Sequence, residues 1–198
     1  MPQDALQVLV GTGAKCYVGL DDATAPTDSD TDLTTGWVDI GFVSEDGATI
    51  RFGATSEGVP VWQSSTPVRT IKQETESQVE FALMQWFGDS LIAAFGGGTV
   101  SASGTAPNET YRYDAPKGGD GLRIHRLAIG WADRGYSYRL YVPMAQVADV
   151  TEAQIVRTEA ADIPLTWSML EPGGGVSPWS LLSDDPAFDP TDLVLVAA

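Results

Sequence analysis

The chain has 198 residues, 27 of them acidic and 11 basic, for a net charge of −16 and a sequence pI of about 4.1. Such an excess of carboxylates repels phosphate backbones and argues against tight nucleic-acid binding. One cysteine and one histidine exclude an intramolecular disulfide and a multi-histidine metal centre within a single chain.

The length suits one domain, 1–198. The N-terminus, MPQDALQVLVGTG, has no basic segment and no long apolar run, so it does not read as a secretory signal. No apolar run approaches the ~18 residues of a membrane helix. Folding in a cytoplasm, with no membrane partner, is the expectation. Short strands are expected at 7–10 and 15–20 around a GTG turn. Residues 21–36, DDATAPTDSDTDLTTG, hold five aspartates and no basic residue. They read as a long acidic loop, disordered in the monomer.

Val38, Ile40 and Phe42 alternate with polar or small residues, as do Ala48, Ile50 and Phe52. A period of two puts one side of each strand on a core. Glu45-Asp46-Gly47 between them reads as a tight turn. After 67–73, a turn or bend is expected at 74–77. Glu76, Gln78 and Glu80 then face one way, and Val79, Phe81 and Leu83 the other. The period next changes to that of a short helix through 91–95, capped by Asp89 or Ser90 and stopped by Gly96-Gly97-Gly98, with Leu91, Ile92 and Phe95 inward. Strands follow at 99–103 and 110–113 around a polar turn, and at 122–132 and 136–145 around Asp133-Arg134-Gly135. Pro143 marks an edge or a bulge, because proline cannot donate to a ladder. Residues 145–157 and the alternation Leu165, Trp167, Met169 add strand. A flexible EPGGG precedes a Pro- and Asp-rich tail that ends in an apolar run at 193–196, and 152–198 has no obvious placement. Strands divided by turns imply an all-β, mainly antiparallel sandwich or barrel with one short flanking helix.

The motifs for chemistry fail on context. GTGAK at 11–15 lacks phosphate-loop spacing and a following helix. His125 lies between arginines on a strand, with no nucleophile elbow. Cys16, beside Lys15, reads as a small buried residue. The acid pairs Glu45/Asp46, Glu74/Glu76 and Asp184/Asp185 sit at turns and tails. DSDTD lacks the glycine and distal glutamate of a calcium loop. No catalytic residue, metal or cofactor is expected.

Charge is uneven. Six basic residues fall between 112 and 139, among them Arg112, Arg123, Arg126 and Arg139, while acids gather at 21–32, 74–80 and 184–192. One basic region and several acidic ones suit a head-to-tail interface between identical subunits. A carbohydrate-binding or adhesin-like β-sandwich that uses Trp37, Trp62, Trp86, Trp131, Trp167 or Trp179 is the other reading of these residues.

The stretch GWVDIGFVSEDGATIRFGATSEGVPVWQSSTPVRTIKQETESQVEFALMQWFGDSLIAAFGGG resembles the major tail tube protein of long-tailed, siphovirus-type bacteriophages infecting actinobacteria. The resemblance rests on the order of Trp37, Asp39, Gly41, Phe42, Glu45, Asp46, Gly47, Trp62, Arg69, Glu74, Phe81 and Gly96, and on RLYVPMAQV further on. It covers roughly 36–150. It implies a structural virion protein without catalysis, assembled in the host cytoplasm. Six copies would form a ring, and rings would stack into a hollow tube that virion DNA passes through unbound. Tail terminator, tape measure and tail tip proteins would be partners. On that reading Glu76, Gln78 and Glu80 line the bore and repel DNA. Asp21, Asp22, Asp28, Asp30 and Asp32 make the ring-to-ring contact, with the loop ordering on assembly.

Overall fold

The computed structural model describes residues 8–150, 153, 155, 157 and 160–190. Ten strands are defined among them: β1 Thr12–Gly19, β2 Trp37–Asp39, β3 Val43–Val61, β4 Ser64–Leu83, β5 Thr99–Ser103, β6 Thr110–Asp114, β7 Ile124–Asp133, β8 Tyr136–Val150, β9 Ile163–Met169 and β10 Ser180–Ser183. One helix, α1 Gly88–Ala94, follows β4. Every strand pairing is antiparallel. The fold is all-β with one short helix, as the sequence pattern implies.

Eight strands form one sheet in the order β2-β1-β7-β8-β9-β4-β3, with β10 added to β8. β1 and β3 stand five places apart in that order, about 24 Å if the sheet were flat. They nevertheless touch, so the sheet curls around its contents. Inside lie Cys16 and Val18 of β1, Val79, Phe81 and Leu83 of β4, Leu127 and Ile129 of β7, and Leu140 and Val142 of β8. β9 alternates without exception: Ile163, Leu165, Trp167 and Met169 point in, and Pro164, Thr166 and Ser168 stand half-exposed. Trp167 is fully buried. Truncating a tryptophan in such a place costs about 3–5 kcal/mol. A smaller apolar cluster of Tyr17, Ala23, Trp37, Ala128 and Tyr141 occupies the other face of β1, β7 and β8, with Leu33 packed on it.

Several expectations are corrected. Residues 8–10 form no strand, and Gln7 lies outside the described residues. Of the GTG glycines, Gly11 precedes β1 and Gly13 belongs to it, where the register slips between Thr12 and Lys15 and Gly13 takes φ +65°. Glu45-Asp46-Gly47 is no hairpin turn. It bulges within β3, which advances five positions from Val43 to Ala48 while β4 advances two, and Gly47 supplies the positive φ of 73°. Residues 74–77 do not turn, because pairing with β3 continues through them. The pieces read as separate strands are therefore one long hairpin.

The strand expected over 145–157 is continuous with 136–145 as β8 up to Val150, and 151, 152, 154 and 156 lie outside the described residues. Pro143 does mark a bulge: Leu127 pairs with Val142 but His125 with Ala145, so β8 carries one extra residue there. On its other side β8 changes partner at the same place, from β10 to β9. A residue without an N–H thus falls where no ladder bond is required. The β7–β8 turn is as read, with Arg134 at φ 51° and Gly135 at φ 86°.

The helix starts earlier than expected. Phe87 is its N-cap, and Ser90 acts from inside the first turn: its Oγ accepts from Phe87 N–H at 2.9 Å and donates to a backbone carbonyl. Ser90, Ala93 and Ala94 are the buried residues of the helix, while Leu91 and Phe95 pack on the core half-buried. Small side chains let this helix of about two turns lie close to the sheet. Of the C-terminal segment, β9 completes the main sheet between β8 and β4, and β10 extends it.

Candidate assembly surfaces

The polar face begins on β4. Glu76 is exposed, Gln78 and Glu80 are half-exposed, and Ser77, Val79, Phe81 and Leu83 are buried behind them. Across the ladders Gln78 meets Arg51 and Ser168, and Glu80 meets Thr49 and Thr166. Gln78 Nε2 donates to Glu76 Oε1 at 2.6 Å. Arg51 Nη2 lies 2.9 Å from Glu80 Oε2. The three expected residues are thus brought together on one hydrophilic face, and one of the two acids is paired with a cation.

The acidic loop is folded against its own chain. Arg139 is 3% exposed; its Nη1 donates to the Asp28 carbonyl at 2.9 Å and its Nη2 to the Thr31 carbonyl at 2.7 Å. Lys15 Nζ reaches Asp32 Oδ1 at 2.6 Å, Tyr17 Oη donates to the same oxygen, and Trp37 Nε1 donates to the Thr24 carbonyl. Ala23 and Ser29 are buried. The loop therefore covers the second cluster and is ordered without a partner. Hydrogen bonds from Thr31, aided by Arg139, hold the Asp28 carboxyl below the ordinary range, and the hydrogen bond from Lys15 does the same to Asp32. Asp21, Asp22, Asp28, Asp30 and Asp32 all remain exposed.

The arginines do not form one patch. Arg139 turns inward to the loop, which removes it from the side chains free to meet a neighbouring subunit. Arg126 is half-buried, with Nη1 3.4 Å from Tyr141 Oη. Arg112 is exposed on the small β5–β6 hairpin and paired with Asp114 at 2.6 Å. Arg123 is exposed just before β7. There it joins Asp21, Asp22, Leu20, Leu122, Ile124 and His125 around a recess of about 620 Å³. One predicted cation and two predicted anions thus converge on a single concavity.

The most conspicuous surface escaped the sequence reading. From Phe52 outward β3 has only β4 beside it, and nearly every residue of 52–75 is exposed on both faces. Ten residues of strand span about 30 Å. This arm ends in a two-residue turn at Trp62-Gln63, between paired Val61 and Ser64. Trp62 is 99% exposed. Gly58 is dictated locally: a Cβ there would lie 2.7 Å from the Pro67 ring. At the root of the arm Phe52 stacks on Trp179, ring centroids 4.6 Å apart.

The groups weighed for chemistry have structural roles. Cys16 is buried, and desolvation pushes its thiol up to about 12, away from reactivity. His125 is buried edge-on to Trp167, and burial lowers its pKa. Asp184 accepts from Ser137 N–H at 2.6 Å and Asp185 from Tyr138 Oη at 2.5 Å, so this acid pair clips the C-terminal segment to β8. Among the described residues no cluster of three or more metal-ligating side chains occurs, and no helix is long and apolar enough to cross a membrane. Four of the six tryptophans (Trp37, Trp131, Trp167 and Trp179) are buried or half-buried, leaving Trp62 and Trp86 exposed.

Among protein-family models, one described as phage tail tube protein matches residues 1–192. No curated protein matches the chain significantly.

Proposed function

The chain belongs to the phage tail tube protein family and is a structural subunit of the virion tail, not an enzyme; from that premise we propose that six copies join edge to edge into a ring and that rings stack into a hollow conduit for virion DNA. The observation that carries this reading is the β3–β4 arm. A two-stranded ribbon with no core of its own is marginal in water, and this one extends about 30 Å past the body. Its length is accounted for if it lies against neighbouring copies. The sheet borders, β3 and β2, supply the backbone groups for joining. The whole of 1–198 acts as one tube domain, and the C-terminal segment contributes β9 and β10 to it.

Glu76, Gln78 and Glu80 face the bore in this proposal. Exposed charges interact by only about 1 kcal/mol at 4 Å in water, so repulsion of DNA phosphate counts as a sum over many rings. Asp21, Asp22 and Asp30 are the loop acids offered for ring-to-ring contact. Asp28 and Asp32 share that surface while also holding the loop. Arg112, Arg123 and Arg126 are the cations offered for subunit contacts. The family implies assembly with other tail proteins. We assign tail terminator, tape measure and tail tip proteins to that role, host-cytoplasmic assembly, and a siphovirus-type phage of an actinobacterium, on the motif order from Trp37 to Gly96.

Negative-stain microscopy with analytical ultracentrifugation of concentrated protein tests the proposal. Rings or tubes of one diameter are expected. A strictly monomeric protein at every concentration, together with particles lacking it that still deliver their genome, would overturn it.

A further inference from the structure

We propose that Trp62 of one copy seats in the recess bounded by Leu20, Leu122 and Ile124 of a second copy, a plug-and-recess contact that rests on the tube reading only for the identity of the partner.

The plug is complete in this chain and touches nothing. Trp62 is 99% exposed at the apex of an arm whose apolar neighbours Val68 and Ile71 are also exposed. A tryptophan buries about 150–250 Å² when it finds a site, and such residues dominate interface energetics. The recess is equally unfilled. Leu20, Leu122 and Ile124 are 49%, 50% and 42% exposed around a cavity of about 620 Å³. That size lies within the roughly 300–1,000 Å³ of pockets that enclose ring-sized ligands.

Polarity matches as well. Residues 58–71 around the apex carry one charged side chain, Arg69. The rim of the recess carries Asp21 and Asp22 against Arg123, a net negative charge. His125 lines the same recess. Its Nε2 is buried, so the ring belongs to the wall of the recess and does not reach its surface. The acceptors that an indole N–H needs stand at the rim, in the exposed carboxylates of Asp21 and Asp22.

Topology separates the two halves. The arm grows from β3 at one border of the sheet, and the recess lies at the end of β1 and the start of β7, beside the other border. Different patches meeting on identical chains make a heterologous contact, which propagates into rings or filaments rather than closing as a dimer.

The test compares wild type, Trp62→Ala, Leu122→Glu and the double cysteine variant Trp62→Cys/Leu122→Cys. Trp62→Ala is expected to keep the wild-type Tm and to raise the concentration needed for tube formation by about 30-fold, the factor of an interface hot spot. Oxidation of the double cysteine variant should give a ladder of disulfide-linked chains. Leu122→Glu should block assembly in the same way, and because Trp62 is free of contacts the Trp62→Ala result holds even if Leu122→Glu folds poorly. Wild type that forms tubes while Trp62→Ala forms them at an unchanged concentration overturns the plug and leaves the tube reading intact. Wild type that forms no tubes at all overturns the tube reading.

Discussion

Arg139 and Asp28 stand 111 positions apart, yet Arg139 Nη1 lies 2.9 Å from the Asp28 carbonyl oxygen and 3.2 Å from its carboxylate. Together with the bond from Nη2 to Thr31, this latches an acidic loop over the β1–β7–β8 face. Arg139→Met keeps most of the stem and removes the donors. It should cost about 2–4 kcal/mol in urea denaturation, since hydrogen bonds to charged groups contribute about 1.5–3 kcal/mol. A loss below about 0.5 kcal/mol would dismiss the latch.

The same latch gives an acid limb. Asp28 and Asp32 are held below the ordinary carboxylate range, so the folded chain binds fewer protons there than the unfolded chain. Their contribution is complete above the unfolded value of about 3.9 and is lost as pH falls through the lower folded values. Asp28→Asn should flatten that limb in a pH series of thermal melts. An unchanged limb would point to other carboxylates.

His125 gives a second limb at milder pH. Its folded pKa is lowered by burial, so the neutral ring is the folded form. Its contribution is present above the unfolded value of 6.5 and is lost as pH falls through the folded value. Wild type should therefore lose stability on descending from about pH 7 to pH 5, and His125→Gln should lose less. Parallel curves for the two proteins would contradict this assignment.

The Phe52–Trp179 stack ties the root of the arm to the C-terminal segment. Such pairs contribute about 0.5–1.5 kcal/mol beyond their buried area. A double-mutant cycle with Phe52→Ala and Trp179→Ala should return coupling of that size. Limited proteolysis within 52–75 should also quicken in Trp179→Ala. Additive effects of the two substitutions would mean the rings merely lie side by side.

Glu76→Lys/Glu80→Lys should leave the Tm nearly unchanged. Arg51–Glu80 is an exposed pair, and such pairs contribute about 0–1 kcal/mol. Genome delivery, by contrast, should slow, because the bore would then attract phosphate. Normal infectivity would end the claim that these side chains line it.

What was legible in the sequence was whatever a local period encodes. Val79, Phe81 and Leu83 against Gln78 and Glu80 could be read because burial on one side only leaves an alternation. Pro143 could be read because it lacks a donor wherever it sits. The arm could not. A ribbon wet on both sides has no apolar period, and Gly58, Pro60 and Pro67 are residues that disfavour a strand, although the ladder runs past them. Arg139 was misjudged for the opposite reason. It shares a strand face with Ser137 and Tyr141 that looks like a solvent face, and only the distant loop covers it. Ser90 was recognised as a helix-start residue, but capping from the third position shifts the boundary without changing the residue.

The border strand β3 carries a consequence for the free protein. Past β4 no strand lies beside it among the described residues, so a row of amides stands ready to template any extended chain. The irregularities along it act as guards. The bulge between Val43 and Ala48 and the donorless Pro60 bound the row at its two ends, while the slip beside Thr55 and Ser56 is an extra residue, Gln73, in β4. Amyloid growth needs long uninterrupted β-segments without proline. An edge bounded in this way can recognise a copy with a matching kink and limits how far an unfolded stranger can extend along it.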